Sequence, residues 1–177
     1  NDSFKRIGMK ALVKIVQVFV GVLFIFSGFV KLVDPIGSQY KFEEYFSESV
    51  LNIPFLAPYA LEFAIVLIVV EIILGVALLV RWKTKFTLYA LFVTIIFFTF
   101  LTGYSAYFDK VTDCGCFGDA IKLTPWQTFY KDIVLTVLIL FLISNRKLIQ
   151  PMRKYLLPGF YVFGSLVISL GITYYVL

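Results

Sequence analysis

Residues 66–79 read VLIVVEIILGVALL. Between Glu62 and Arg81 the only charged residue is Glu71, and a helix needs about 20 mostly apolar residues to cross a bilayer core. The stretch therefore reads as the centre of a membrane-spanning helix, placed at 58–80.

The rest of the chain agrees. Of its 177 residues, 60% are hydrophobic and 19% aromatic, and the mean hydropathy is +0.92. A soluble domain is closer to half apolar. Four further runs have spanning length, at 11–33, 86–108, 125–144 and 156–177. Spanning β-strands would need segments of about 10 residues with alternating polarity, and the sequence has none. The expected fold is an all-α, polytopic membrane helix bundle. Its core of four helices is placed at 1–144, and a basic link and fifth transmembrane helix at 145–177. The first run is too long for a cleaved signal peptide, and no small-residue cleavage site follows it.

The net charge of +5 does not point to nucleic acid, because the basic residues form short clusters between apolar runs rather than one polar face. They act as topology signals instead, since basic loops stay in the cytoplasm. Four lie before or within the first turns of the first span, three in 81–85 and four in 145–155; the other five, Lys31, Lys41, Lys110, Lys122 and Lys131, are counted with Asp132 and other acidic residues in the two outward loops. This predicts a multi-pass protein of the bacterial inner (cytoplasmic) membrane with a cytoplasmic N-terminus. The two cysteines and the C-terminal end then face the periplasm. The chain ends at GITYYVL without a charged flank, which suggests continuation into an exported domain.

Both cysteines, Cys114 and Cys116, lie in VTDCGCFGDAIKLTPW, residues 111–126. The intervening glycine lets the backbone fold tightly. A disulfide closing so small a ring is strained, and strained bridges are readily reduced. That favours a redox pair over a structural staple, whose benefit grows with loop length; inert thiols remain an alternative. No metal site is expected, because zinc takes about four Cys, His or carboxylate ligands and the chain has no histidine.

Other residues have two readings each. Thr124, Pro125 and Gln127 form a helix start with a capping box. Trp126 and Tyr130, one turn apart, suit an interfacial aromatic belt or a wall against a quinone ring. Glu71 at bilayer depth is a functional candidate by default. With no Lys or Arg expected at its depth, it should be neutral or hydrogen-bonded to Ser27, Thr94 or Thr99, acting as a proton relay or a packing contact. Glu62 reads as a solvated interfacial residue. Lys31 is expected to snorkel to the headgroups, or alternatively to stabilise a thiolate or a quinone oxygen. Residues 38–56 read as a short amphipathic helix lying on the membrane.

Three motifs carry a resemblance: Ser27-Gly28-x-x-Lys31-Leu32-x-Asp34-Pro35, Glu71-x-x-x-Gly75, and Cys114-Gly-Cys-Phe-Gly118. With them the chain resembles the DoxX/MauE family of small membrane proteins, from about residue 12 to residue 143. The resemblance implies a four-helix core tied to respiratory or disulfide redox chemistry. MauE-like members are associated with disulfide formation in an exported partner, and DoxD-like relatives with thiosulfate:quinone oxidoreductases. It carries over Cys114 and Cys116 as a redox pair, with Lys31 and Glu71 at family-pattern positions. Two features depart from the pattern: a fifth helix, and a single cysteine pair where DsbB-like or vitamin K epoxide reductase-like enzymes use two.

The resulting expectation is a thiol:quinone oxidoreductase in the lipid bilayer. It would exchange disulfides with an exported thioredoxin-like or other thiol-containing protein and pass electrons to membrane quinone, alone or within a larger membrane complex. The alternative is a non-catalytic membrane subunit or scaffold for an exported domain or complex. A transporter is less favoured because inverted repeats and paired broken helices are missing.

Overall fold

The computed structural model describes residues 2–48, 50–108, 124–149 and 156–176, and the side chains of these apart from residues 2–5 and 156. Six α-helices occupy them: α1 (Asp2–Val33), α2 (Pro35–Phe46), α3 (Ala60–Leu79), α4 (Thr84–Phe108), α5 (Pro125–Ser144) and α6 (Leu156–Val176). Short 3₁₀ turns fill Pro54–Tyr59 and Arg146–Leu148. Among the described residues five segments are long and apolar enough to cross a membrane: Arg6–Val33, Pro54–Leu79, Thr84–Phe108, Pro125–Ser144 and Leu157–Val176. The chain is a multi-pass, all-α membrane protein. α1 starts well before the expected residue 11, because apolarity ends there and helix propensity does not: lysine and arginine are good helix formers.

The bundle carries many of its large apolar side chains outward and several polar ones inward. Phe86 and Val93 are each 68% exposed, whereas Gln17, Thr102, Ser105 and Asp132 are buried. Lipid accepts the first set, and hydrogen bonds inside the protein satisfy the second.

α1 and α3 pack antiparallel through glycines. A Cβ built on Gly75 would lie 2.8 Å from the Gly21 carbonyl oxygen, and one on Gly28 would lie 2.6 Å from Ile72 Cγ1 and 3.2 Å from the Ile68 carbonyl oxygen. Close backbone approach of this kind drives helix association in lipid, where no hydrophobic force separates helix from solvent. The register pairs Gly21 with Gly75 and Gly28 with Ile68 and Ile72. Continued along α1, it brings Lys31 level with the interior turns of α3 rather than with its first residue.

α2 is capped by Asp34, whose Oδ1 accepts from the Gly37 amide at 2.8 Å, and Pro35 fills its first turn. Its apolar side does not lie on the membrane as the sequence suggested. Phe42, Tyr45 and Phe46 are buried against Ala60, Ala64 and Leu101, and Phe63 meets Phe42 edge-on at 5.1 Å between ring centroids. The Ser105 hydroxyl donates to Tyr45 Oη at 3.0 Å, and Tyr104 donates to the Val50 carbonyl at 2.8 Å. Aromatic packing and these bonds hold the helix to α3 and α4, so it lines the interior of the bundle end. The expected helix also stops at Phe46; the chain then turns through Asn52 at φ 54° into the 3₁₀ segment.

α5 begins as expected. Thr124 Oγ1 accepts from the Gln127 amide at 3.3 Å while Gln127 Oε1 accepts from the Thr124 amide at 3.0 Å. α6 rests on α3 and α1, with Ile172 against Leu32, Ile68 and Ile72.

Candidate functional site

Four ionisable side chains and two hydroxyls meet inside the bundle, on helices whose surrounding sequence is apolar. Lys31 Nζ donates to Glu71 Oε1 at 2.6 Å, with the two side chains only 9% and 3% exposed. Lys31 also donates to Ser27 Oγ at 3.3 Å, and its ammonium stands 4.4 Å from the centre of the Phe98 ring. Glu71 is eleven residues into α3, or ~16 Å from its start at the helical rise.

This corrects two expectations. Lys31 is buried beside Glu71 instead of reaching the headgroups, because the α1/α3 register draws it inward. Glu71 is paired with Lys31 rather than held by hydroxyls: Thr94 and Thr99 donate to the Ala90 and Ile95 carbonyls of their own helix, and Ser27 bonds Lys31. Glu62 is exposed, as expected for an interfacial residue.

The second half of the cluster was not legible as such in the sequence, where Lys131 and Asp132 counted among the loop charges. Both lie on α5, and Asp132 is 1% exposed. Its Oδ2 accepts from Thr102 Oγ1 at 3.0 Å and its Oδ1 lies 3.1 Å from Lys131 Nζ. A helical stripe of Thr128, Asp132, Leu135, Ile139 and Leu142 forms the buried face of α5. That spacing was the available signal.

Two small clefts meet at Lys31. One, of about 20 Å³, is lined by Ser27, Lys31, Glu71, Phe98, Lys131 and Asp132 and so joins the two charged pairs. The other, of about 30 Å³, is lined by Lys31, Lys41, Phe42, Tyr45, Phe98 and Thr102. A water needs about 10–15 Å³ by this measure, so each cleft has room for a water or two and is too small for a ring. Glu71 Oε2 is buried without a hydrogen-bond partner among the described residues. A buried carboxylate oxygen is normally hydrogen-bonded, and a water in the first cleft would satisfy it. Lysines, carboxylates and hydroxyls so disposed can hold and exchange protons within an apolar bundle.

Trp126 and Tyr130 lie one turn apart with ring centroids 6.1 Å apart. They are 50% and 60% exposed, and neither lines the two clefts. Cys114 and Cys116 lie outside the described residues, in the segment 109–123 that joins α4 to α5. Among the described residues no cluster of metal-ligating side chains occurs.

Among the described residues Thr102 and Lys131 contact the buried Asp132 carboxylate, and a buried acceptor left unsatisfied costs about 1–3 kcal/mol. Thr102→Val is therefore expected to lower unfolding stability by about that amount, and Thr102→Ser to keep most of it. Equilibrium unfolding in detergent would measure both; equal losses for Val and Ser would show that the hydroxyl is not what matters.

Fold and site together define a small polytopic membrane protein built around a buried cluster of lysine–carboxylate pairs. The chain belongs to the family described as "Methylamine utilisation protein MauE", whose model matches residues 9–145. The match runs from Met9, within α1, to Asn145, just past α5, and leaves α6 outside. Neither the curated proteins nor the solved structures contain a significant match to the chain.

Proposed function

We propose that the protein is a membrane thiol–disulfide redox carrier that oxidises an exported, thioredoxin-like dithiol partner and passes the electrons to membrane quinone. A partner thiolate attacks one sulfur of a Cys114–Cys116 disulfide and forms a mixed disulfide. The partner's second thiolate resolves it, leaving the partner oxidised and both cysteines reduced. The two thiols then give two electrons and two protons to a quinone, which leaves as the quinol while the disulfide re-forms. The family description ties its members to methylamine utilisation, and we propose that setting for the exported partner. The same reading puts the N-terminus in the cytoplasm of a bacterial inner membrane and the cysteine segment in the periplasm.

One observation carries the reading. The segment with both cysteines joins α4 to α5, and those two helices contribute Thr102, Lys131 and Asp132 to the buried charged cluster. Quinone chemistry moves protons as well as electrons, and an apolar bundle has few groups to carry them; this one gathers two carboxylates and two lysines, one of each on the helix that follows the thiol-bearing segment. Lys31 and Glu71 act here in proton handling. Trp126 and Tyr130, on the lipid-facing side of α5, are the proposed contact for a quinone ring approaching through lipid.

The test uses the purified full chain, a soluble quinone analogue and a reduced thioredoxin-like protein. Quinone absorbance should fall with turnover and stay constant with Cys114→Ser. Equal turnover in that variant would overturn the proposal. Normal membrane assembly of a Cys114→Ser/Cys116→Ser double variant, together with that equal turnover, would support the scaffold reading instead.

A further inference from the structure

At the opposite end of the bundle, where α3 closes and α4 begins, the buried seam of α1 changes character. Val13, Val20 and Phe24 are buried along it, yet Lys10 and Lys14 occupy the neighbouring positions on the same helical face, one turn apart. Instead of a packed contact, a cavity of about 200 Å³ opens there, lined by Lys10, Lys14, Gln17, Arg81 and Ile149 among others. By the same measure this is room for about ten waters or more. Among the described residues three cations face the cavity and no carboxylate lines it. Among the described residues none of the three forms a salt bridge.

The cavity is a built feature. Gln17 is 4% exposed and its Nε2 donates to the Leu78 carbonyl at 2.7 Å, which ties α1 to the last turn of α3. Arg81 is held in the following turn at φ 56°, where the Trp82 amide donates to the Ala77 carbonyl at 2.9 Å. Like charges converging on one space repel unless an anion joins them. On α1 the lysines are flanked by Leu12 and Ile15, 47% and 66% exposed, so an anion here has apolar surface beside it for hydrocarbon chains.

We propose that this cavity binds the phosphate of an anionic phospholipid, with Lys10, Lys14 and Arg81 around the headgroup and the acyl chains along the exposed apolar face of α1. A basic pocket between spanning helices is a known form of headgroup site. The phosphate chemistry would also suit a free phosphate ion; the apolar flank selects the lipid.

Native mass spectrometry and thermal unfolding of the delipidated full chain test this. The probes are phosphatidylglycerol, phosphatidylcholine with the same acyl chains, and inorganic phosphate. Phosphatidylglycerol should be retained and should raise the unfolding temperature, and the other two should do neither. Each of Lys10→Gln and Lys14→Gln should weaken retention about fivefold, and the pair together with Arg81→Gln about a hundredfold, from the attraction per cation near an anionic headgroup. Lys85→Gln, an exposed cation at the same end that does not line the cavity, should change nothing. Equal retention of the two lipids overturns the proposal, as does equal protection by inorganic phosphate or an equal loss in Lys85→Gln. If the charge variants fail to fold, the wild-type comparison of the three probes still decides. None of these measurements involves the cysteines, so the result stands apart from the redox reading.

Discussion

Lys31→Met and Glu71→Leu should each destabilise the bundle by about 3–5 kcal/mol, while the double variant recovers most of that loss. Removing one partner of a buried ion pair leaves an uncompensated charge, whereas replacing both with apolar residues of similar volume is often neutral or stabilising. The geometry puts this pair in that class: the N···O distance is 2.6 Å and both side chains are almost wholly shielded. The loss would be a large fraction of the 5–15 kcal/mol, roughly, that holds a typical protein folded. Equilibrium unfolding of the two single variants and the double in detergent would give the coupling directly. Additive losses would mean that the two charges do not depend on each other. The double variant also separates two roles: folded but unable to support quinone reduction, it would tie the pair to proton handling; folded and fully active, it would leave the pair a purely structural one.

Gly75→Leu should separate α1 from α3 and lower stability by ~3 kcal/mol or more, at the top of the usual range for overpacking. The reason is what the new side chain meets. Its Cβ alone would stand 2.8 Å from the Gly21 carbonyl oxygen and 3.0 Å from the Ile25 amide nitrogen. Backbone on a packed helix cannot swing aside as a flexible side chain can. Gly75→Ala should show a smaller loss of the same sign. Gly164→Leu, where a Cβ meets nothing within 4 Å, should be close to neutral. Thermal unfolding of the three variants decides the matter; a Gly75→Leu variant as stable as Gly164→Leu would mean that the α1/α3 contact can open without cost. Because Gly28 and Lys31 lie one turn apart on α1, separating these helices should also pull Lys31 from Glu71.

The expected residues and the observed site differ for a consistent reason. Reading each apolar run as a separate crossing puts a charge near the end of a run at the membrane surface, and Lys31 was placed there. The same logic assigned Lys131 and Asp132 to a loop. Helical spacing tells otherwise. Lys31 falls on the stripe of Val20, Phe24 and Gly28, and Asp132 on that of Thr128, Leu135 and Ile139; all six stripe residues are buried. The stripes alone say that the two charges face inward. They do not say which helix each one faces.

By itself the sequence determined the helical class, the number of spans and the capping of α5, because these follow from local apolar length, from the cost of an unpaired backbone in lipid and from short-range hydrogen bonds. It also marked Glu71 as costly wherever it lies. The partner of Glu71, the inward path of Lys31, the docking of α2 and the meeting of Asp132 with Thr102 were decided by tertiary structure alone. Each depends on the register between helices 30 or more residues apart in sequence, and that register is set by which small residues let two backbones touch, a property of pairs that no single segment contains.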